Sequence, residues 1–167
     1  MGEIIETNIA LEKNLKIIEN EEYISIDTEF IRDNTYFSKL CLIQVASKNH
    51  SFIIDPLKEE LNLDSFRKIL EKNSIVKIFH SGRQDMEIFY HLFGELPKPI
   101  YDTQIAAMVC GFGDQVSYEN LVNTLLNIRI DKSSRVSNWS FRPLTEKQIK
   151  YALSDVTHLI HIYEKLK

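Results

Sequence analysis

The chain has 167 residues, 44% hydrophobic and 26% charged, with Gly 5, Pro 4 and a formal net charge of −4. That length suits one domain burying roughly 70% of its unfolded surface, and the composition excludes disordered, collagen-like and low-complexity chains. The acidic balance argues against a generic nucleic-acid binder, and Cys41 and Cys110, lacking CxxC spacing, read as buried thiols rather than as a disulfide or metal site.

Leu11, Leu15 and Ile18 keep helical spacing, predicting an amphipathic helix over 8–20. Tyr23 to Phe30 alternates and reads as a strand. Residues 41–47 and 51–55 read as a hairpin around Lys48-Asn49-His50, stopped by Pro56. Leu63, Phe66, Ile69 and Leu70 mark a helix, Ile75 to Phe79 a strand, and Met86, Phe89, Leu92 and Phe93 a helix that Gly94 closes. A short strand at Ile100–Tyr101 leads into a helix running through Cys110, with Asp102 as its cap. Leu121, Val122, Leu125 and Leu126 give another helix, and 127–144 look irregular. Thr145-Glu146-Lys147-Gln148 is a capping box, followed by an apolar stripe from Ile149 to Tyr163. Hairpin first, then alternating helices and strands, predicts an α/β fold whose mixed sheet opens antiparallel and continues parallel.

No apolar run reaches the roughly 18 residues of a membrane helix. The acidic start through Glu6 does not read as a secretory or myristoylation signal, so a cytoplasmic protein is expected. Charge is uneven: residues 1–33 hold nine acids and three bases, whereas 128–150 hold six bases and two acids.

Three features carry chemistry. Asp27 and Glu29, two apart on a strand, point the same way at its end. Asp85 falls where a strand gives way to a helix, in a first turn that favours an anion. Tyr151 and Asp155, four apart on the last helix, share one face. Each alone has an ordinary structural explanation. Asp55 before Pro56 reads as a turn residue.

Together they form a pattern. The chain resembles the catalytic domain of ribonuclease D, within the four-acid 3′→5′ exonucleases of the tyrosine subtype. The likeness rests on Asp27-Thr28-Glu29-Phe30, Leu42-Ile43-Gln44, Ile54-Asp55-Pro56-Leu57, Phe79-His80-Ser81-Gly82 with Asp85, Tyr101-Asp102-Thr103-Gln104, Asp131-Lys132-Ser133, Arg142-Pro143-Leu144-Thr145 and Tyr151-Ala152-Leu153-Ser154-Asp155-Val156. It runs over residues 21–166 in the family's order. It implies a ribonuclease-H-like fold and two divalent ions, Mg²⁺ or Mn²⁺, held by Asp27, Glu29, Asp85 and Asp155. Two such ions roughly 3.5–4 Å apart clamp the attacking and leaving oxygens of a phosphoryl displacement. Tyr151 takes the family's water-orienting role.

The implied substrate is a single-stranded RNA 3′ end, transfer-RNA precursors among them, and the product a nucleoside 5′-monophosphate. Expected nucleic-acid contacts are Thr28, His80, the basic residues Lys132, Arg135 and Arg142, and Phe30 or Trp139 stacking on a base; for Trp139, core packing is an equal expectation. A non-catalytic binding module would have lost an acid, and all stand. A DNA-directed exonuclease is the other alternative, which the Asp27-Thr28-Glu29-Phe30 and Asp102-Thr103-Gln104 forms fit less well. The expected organisation is one exonuclease domain over 1–167 with no additional C-terminal helical domain.

Overall fold

A computed structural model describes residues 3–32, 36–130 and 137–167. In chain order the elements are β1 (Glu3–Ile5), α1 (Asn8–Ile18), β2 (Tyr23–Ile31), β3 (Lys39–Ala46), β4 (Ser51–Ile54), α2 (Asp64–Glu71), β5 (Val76–Phe79), α3 (Arg83–Phe93), β6 (Ile100–Asp102), α4 (Thr103–Val109), α5 (Tyr118–Leu126) and α6 (Glu146–Leu166).

The strands form one sheet in the order β1-β4-β3-β2-β5-β6. β2–β3 and β3–β4 are antiparallel, whereas β2–β5, β5–β6 and β1–β4 are parallel. The expected hairpin is present: Val45 faces Phe52, and the Ser47 N–H donates to the His50 carbonyl at 2.8 Å. β1 is the strand that periodicity missed. Three residues are too few to show alternation, and β1 exists because Ile5 sits in register with Ile54.

Alternation along β2 divides the molecule. Ile24 and Ile26 join the apolar cluster with Leu11, Leu15, Phe66 and Phe89, on the side of α1, α2 and α3. Ser25 points the other way, donating to the Val156 carbonyl of α6 at 2.7 Å. α6 lies across β2, β3, β4 and β5, seating Val156, Leu159 and Ile160 on Ala46 and Ile78. Its capping box forms as the sequence predicts, with the Thr145 side chain on the Gln148 N–H and the Gln148 side chain on the Thr145 N–H. Gly94 closes α3 at φ 73°, a backbone that suits glycine.

Cys41 is buried as expected, but Cys110 is exposed. It caps the C-terminal end of α4, whose buried residues are Thr103 and Ala107. Among the described residues no helix is long and apolar enough to cross a membrane.

Candidate active site

The sheet side of the site is the second half of β2. Asp27 and Glu29 continue the face begun by Ser25, so both carboxylates meet α6. A register irregularity between Glu29 and Phe30 bends the strand just beyond them. From α6, Tyr151 and Asp155 point back at β2, one turn apart. That turn is fastened twice. Ser25 holds the Val156 carbonyl, and the Tyr118 hydroxyl of α5 donates to the carbonyls of Ser154, at 3.2 Å, and Asp155.

Oxygens of Asp27, Glu29 and Asp155 all lie within 4.8 Å of one another. Asp85 stands beside this trio, in the first turn of α3. It is reached from the opposite face of β2, where the Thr28 hydroxyl donates to its Oδ1 at 2.5 Å. The junction that delivers Asp85 is tightly built. The Asp102 carboxylate accepts from the backbone of Ser81 at 3.0 Å, Gly82 at 2.9 Å and Gln104 at 2.8 Å. It therefore caps α4, as expected, and also anchors the start of α3. At Gly82 a Cβ would lie 2.7 Å from the Phe79 Cβ.

Four acids in one place oppose their own ionisation. Burial, then the charges of Asp85, Asp155 and Glu29, hold Asp27 well above the carboxylate range. Burial, Asp155 and Asp85 push Glu29 up to about 8. Burial raises Asp85 to about 6 against the opposing hydrogen bond from Thr28. Burial and the facing carboxylates raise Tyr151, which also bonds Asp155, so its phenol stays protonated. What such a cluster lacks is positive charge, and an oxygen-only donor set suits hard divalent cations.

A cavity of about 200 Å³ opens on the cluster, lined by Asp27, His80, Tyr118, Tyr151 and Asp155 among others. His80 Nδ1 pairs with Thr103 Oγ1 at 3.0 Å, and burial lowers its pKa, so the ring is neutral at pH 7.

The expected nucleic-acid contacts fare unevenly. His80 lines the same cavity as Asp27 and Asp155. Thr28 is buried and committed to Asp85, so it positions an acid rather than meeting a strand. Phe30 is half-buried against the core. Trp139 is 3% exposed and packs with Cys41, Leu42 and Ala152, its ring 6.1 Å from that of Tyr151; it has no face for a base, and its core role prevails. Lys132 and Arg135 lie outside the described residues.

Arg142 is also corrected. It forks onto Asp55, Nε to Oδ2 and Nη2 to Oδ1, both 2.6 Å, and donates to the carbonyls of Trp139, Phe141 and Cys41. With its donors spent on the fold, it is a structural clamp rather than a phosphate contact. Asp55 also makes the expected turn, accepting from the Leu57 N–H at 3.1 Å. Sequence reading missed Tyr118. The adjacent Ser117 cap was a visible sign of α5, but nothing local reveals that Tyr118 reaches residues 36 and 37 positions away.

A family model described as 3′-5′ exonuclease matches residues 2–167. The ribonuclease D of Bartonella henselae is 47% identical over 167 residues, covering 100% of this chain and 41% of the relative. The chain spans about two fifths of the length of the curated relatives it matches. The crystal structure of Escherichia coli RNase D, described as an exoribonuclease involved in structured RNA processing, superimposes with a TM-score of 0.96 at 38% identity, covering 99% of this chain and 44% of that one. Brucella melitensis NrnC bound to pGG matches with a TM-score of 0.83 at 28% identity over 99% of this chain and 80% of that one. The same protein with bound Mg²⁺ matches at 0.79 and 26%, over 98% and 77%.

Proposed function

Because this chain belongs to the 3′-5′ exonuclease family, we propose that it is a divalent-metal-dependent 3′→5′ exoribonuclease, releasing nucleoside 5′-monophosphates from single-stranded RNA 3′ ends in the cytoplasm, those of transfer-RNA precursors included. One observation carries the reading: oxygens of Asp27, Glu29 and Asp155 lie within 4.8 Å of one another with Asp85 close enough to repel them, and Asp27, Asp155 and Tyr151 line one cavity. The RNA substrate is supported by the relatives named ribonuclease D and by the description of the Escherichia coli enzyme.

Asp27, Glu29, Asp85 and Asp155 would hold the two ions, Mg²⁺ or Mn²⁺. When bound, such ions supply charge and Lewis acidity at the scissile phosphate. The Mg²⁺ in the NrnC structure supports that assignment for a relative of the same fold. Tyr151, protonated and fixed against Asp155, orients the attacking water in line with the terminal phosphorus. The water oxygen gives up a proton to solvent and bonds to phosphorus as the bond to the upstream 3′ oxygen breaks, and that oxygen takes up a proton from solvent. The terminal nucleotide leaves with a 5′-phosphate, and the shortened strand keeps a 3′-hydroxyl. Thr28 aims Asp85, and neutral His80 lines the cavity without adding charge.

The test uses 5′-labelled RNA and DNA oligonucleotides with Mg²⁺, Mn²⁺ or EDTA. The expected result is a ladder shortening from the 3′ end, metal-dependent, faster on RNA, stopped by a 3′-phosphate and absent in Asp155→Asn. Internal cleavage, or no shortening with either metal, overturns the reading; equal or faster shortening of DNA overturns the choice of RNA.

A further inference from the structure

The catalytic chemistry leaves one aromatic cluster unused. Phe37, just before β3, stacks on His91 of α3 with ring centroids 3.9 Å apart and planes 13° apart. Tyr36 meets Phe37 edge-on at 4.8 Å, and Arg32 donates to the Tyr36 carbonyl at 3.2 Å. These rings are not folded away: Tyr36 is 83% exposed, Phe37 53% and nearby Tyr90 60%. Together they line a groove of about 590 Å³. Large apolar rings clustered in water contribute little to stability there, and such patches mark contact surfaces.

The groove draws its residues from the continuation of β2 and from α3, the two elements that also carry Asp27, Glu29 and Asp85. Arg32 lies three residues past Glu29 on the strand path, about 10 Å at strand rise. His91 lies six residues past Asp85 on α3, about 9 Å at helical rise. Glu87, a carboxylate lining the groove, pairs with Arg83 at 3.3 Å, and Arg32 adds a guanidinium to the same lining.

We propose that this groove is a second nucleic-acid subsite, where unpaired bases upstream of the terminal nucleotide stack on Tyr36 and Phe37 while Arg32 meets the phosphates. The proposal rests on the exonuclease reading above. Stacking on aromatic rings is sequence-tolerant, because every base has a π-face, as an enzyme moving through successive nucleotides requires. Backbone separations of that order match about three nucleotides at a stacked rise of about 3.4 Å, and fewer in an extended strand. Grip there would also let a chain with net charge −4 hold a polyanion.

The experiment measures the affinity of oligouridylates from two to eight nucleotides for the Asp155→Asn protein, in which cleavage is blocked, alone and with Phe37→Ala or Phe37→Tyr added. The expected result is affinity that climbs with length, a loss of roughly tenfold for the longest strand in Phe37→Ala, little change for the dinucleotide, and recovery in Phe37→Tyr. A length dependence identical in all three, or an equal loss at every length, overturns the subsite while leaving the exonuclease reading intact. Failure of the unsubstituted chain to shorten RNA in parallel assays overturns both.

Discussion

The Thr28 hydroxyl donates to the carboxylate of Asp85 across 2.5 Å, joining β2 to the start of α3 from the face opposite Asp27 and Glu29. Thr28→Val keeps shape and β-branching but removes the donor. Partners that orient ligating carboxylates typically carry 10- to 100-fold in metal affinity or activity, roughly, when lost. The expected outcome is a shift of the Mn²⁺ dependence of cleavage to higher concentration by about tenfold, with Thr28→Ser close to the parent. An unaltered metal titration in Thr28→Val would show that Asp85 is placed without this bond.

The acids predict a pH-dependent fold. Glu29 titrates at about 8 against an ordinary 4.5, and Asp85 at about 6 against 3.8. A raised carboxyl binds its proton in the folded state where the unfolded chain has released it. Stability is therefore fully present below the ordinary value and declines as pH rises to the shifted one, by at most about 1.4 kcal/mol per pH unit for each group in its window. Metal-free protein should melt at progressively lower temperature from pH 5 to pH 8. Under the metal-dependent reading proposed above, Mn²⁺ at pH 8 should restore Tm by binding the folded cluster and not the unfolded chain. Glu29→Gln should raise the metal-free Tm at pH 8 and flatten the profile. A flat profile in EDTA for the unsubstituted chain would contradict the crowding of these carboxylates.

Arg142→Ala leaves Asp55, with a side chain 1% exposed, as a buried charge without its clamp. Breaking such a pair costs about 3–5 kcal/mol, a Tm drop on the order of 10 °C. Arg142→Lys should recover only part, since an ammonium cannot reproduce the fork. Measured below both melting temperatures, the salt dependence of RNA binding should be unchanged. A flattened salt slope would return Arg142 to the nucleic-acid interface.

Gly82→Ala would bring a Cβ to 2.7 Å from the Phe79 Cβ at the junction that delivers Asp85. Relief requires the start of α3 to move, at a cost of about 1–3 kcal/mol. Because catalysis depends on placement, the rate should fall by about 10²-fold even in protein that folds fully. Thermal melting and single-turnover cleavage on the same preparation separate the two effects. Parent-like rates in a folded variant would mean that the junction tolerates displacement.

Local pattern was a sound guide wherever a side chain's direction follows from its own element. Strand alternation puts Asp27 and Glu29 on one face, helical spacing pairs Tyr151 with Asp155, and the capping box at Thr145 marks the start of α6. It misled where the partner is remote. The basic stretch around Arg142 looked like a phosphate grip because Asp55, 87 positions away, cannot be seen as its partner along the chain. Trp139 offered an aromatic ring, and burial against Cys41 and Leu42 removed it from any ligand.

The order of residues alone thus determined which acids exist, on which element each rides and which way it leans, because backbone periodicity sets direction within a few residues. Tertiary structure alone decided which of those faces meet, which cation is spent inside the fold, and that Thr28 serves Asp85. Those outcomes depend on packing and desolvation between segments tens of residues apart, where no local repeat carries information.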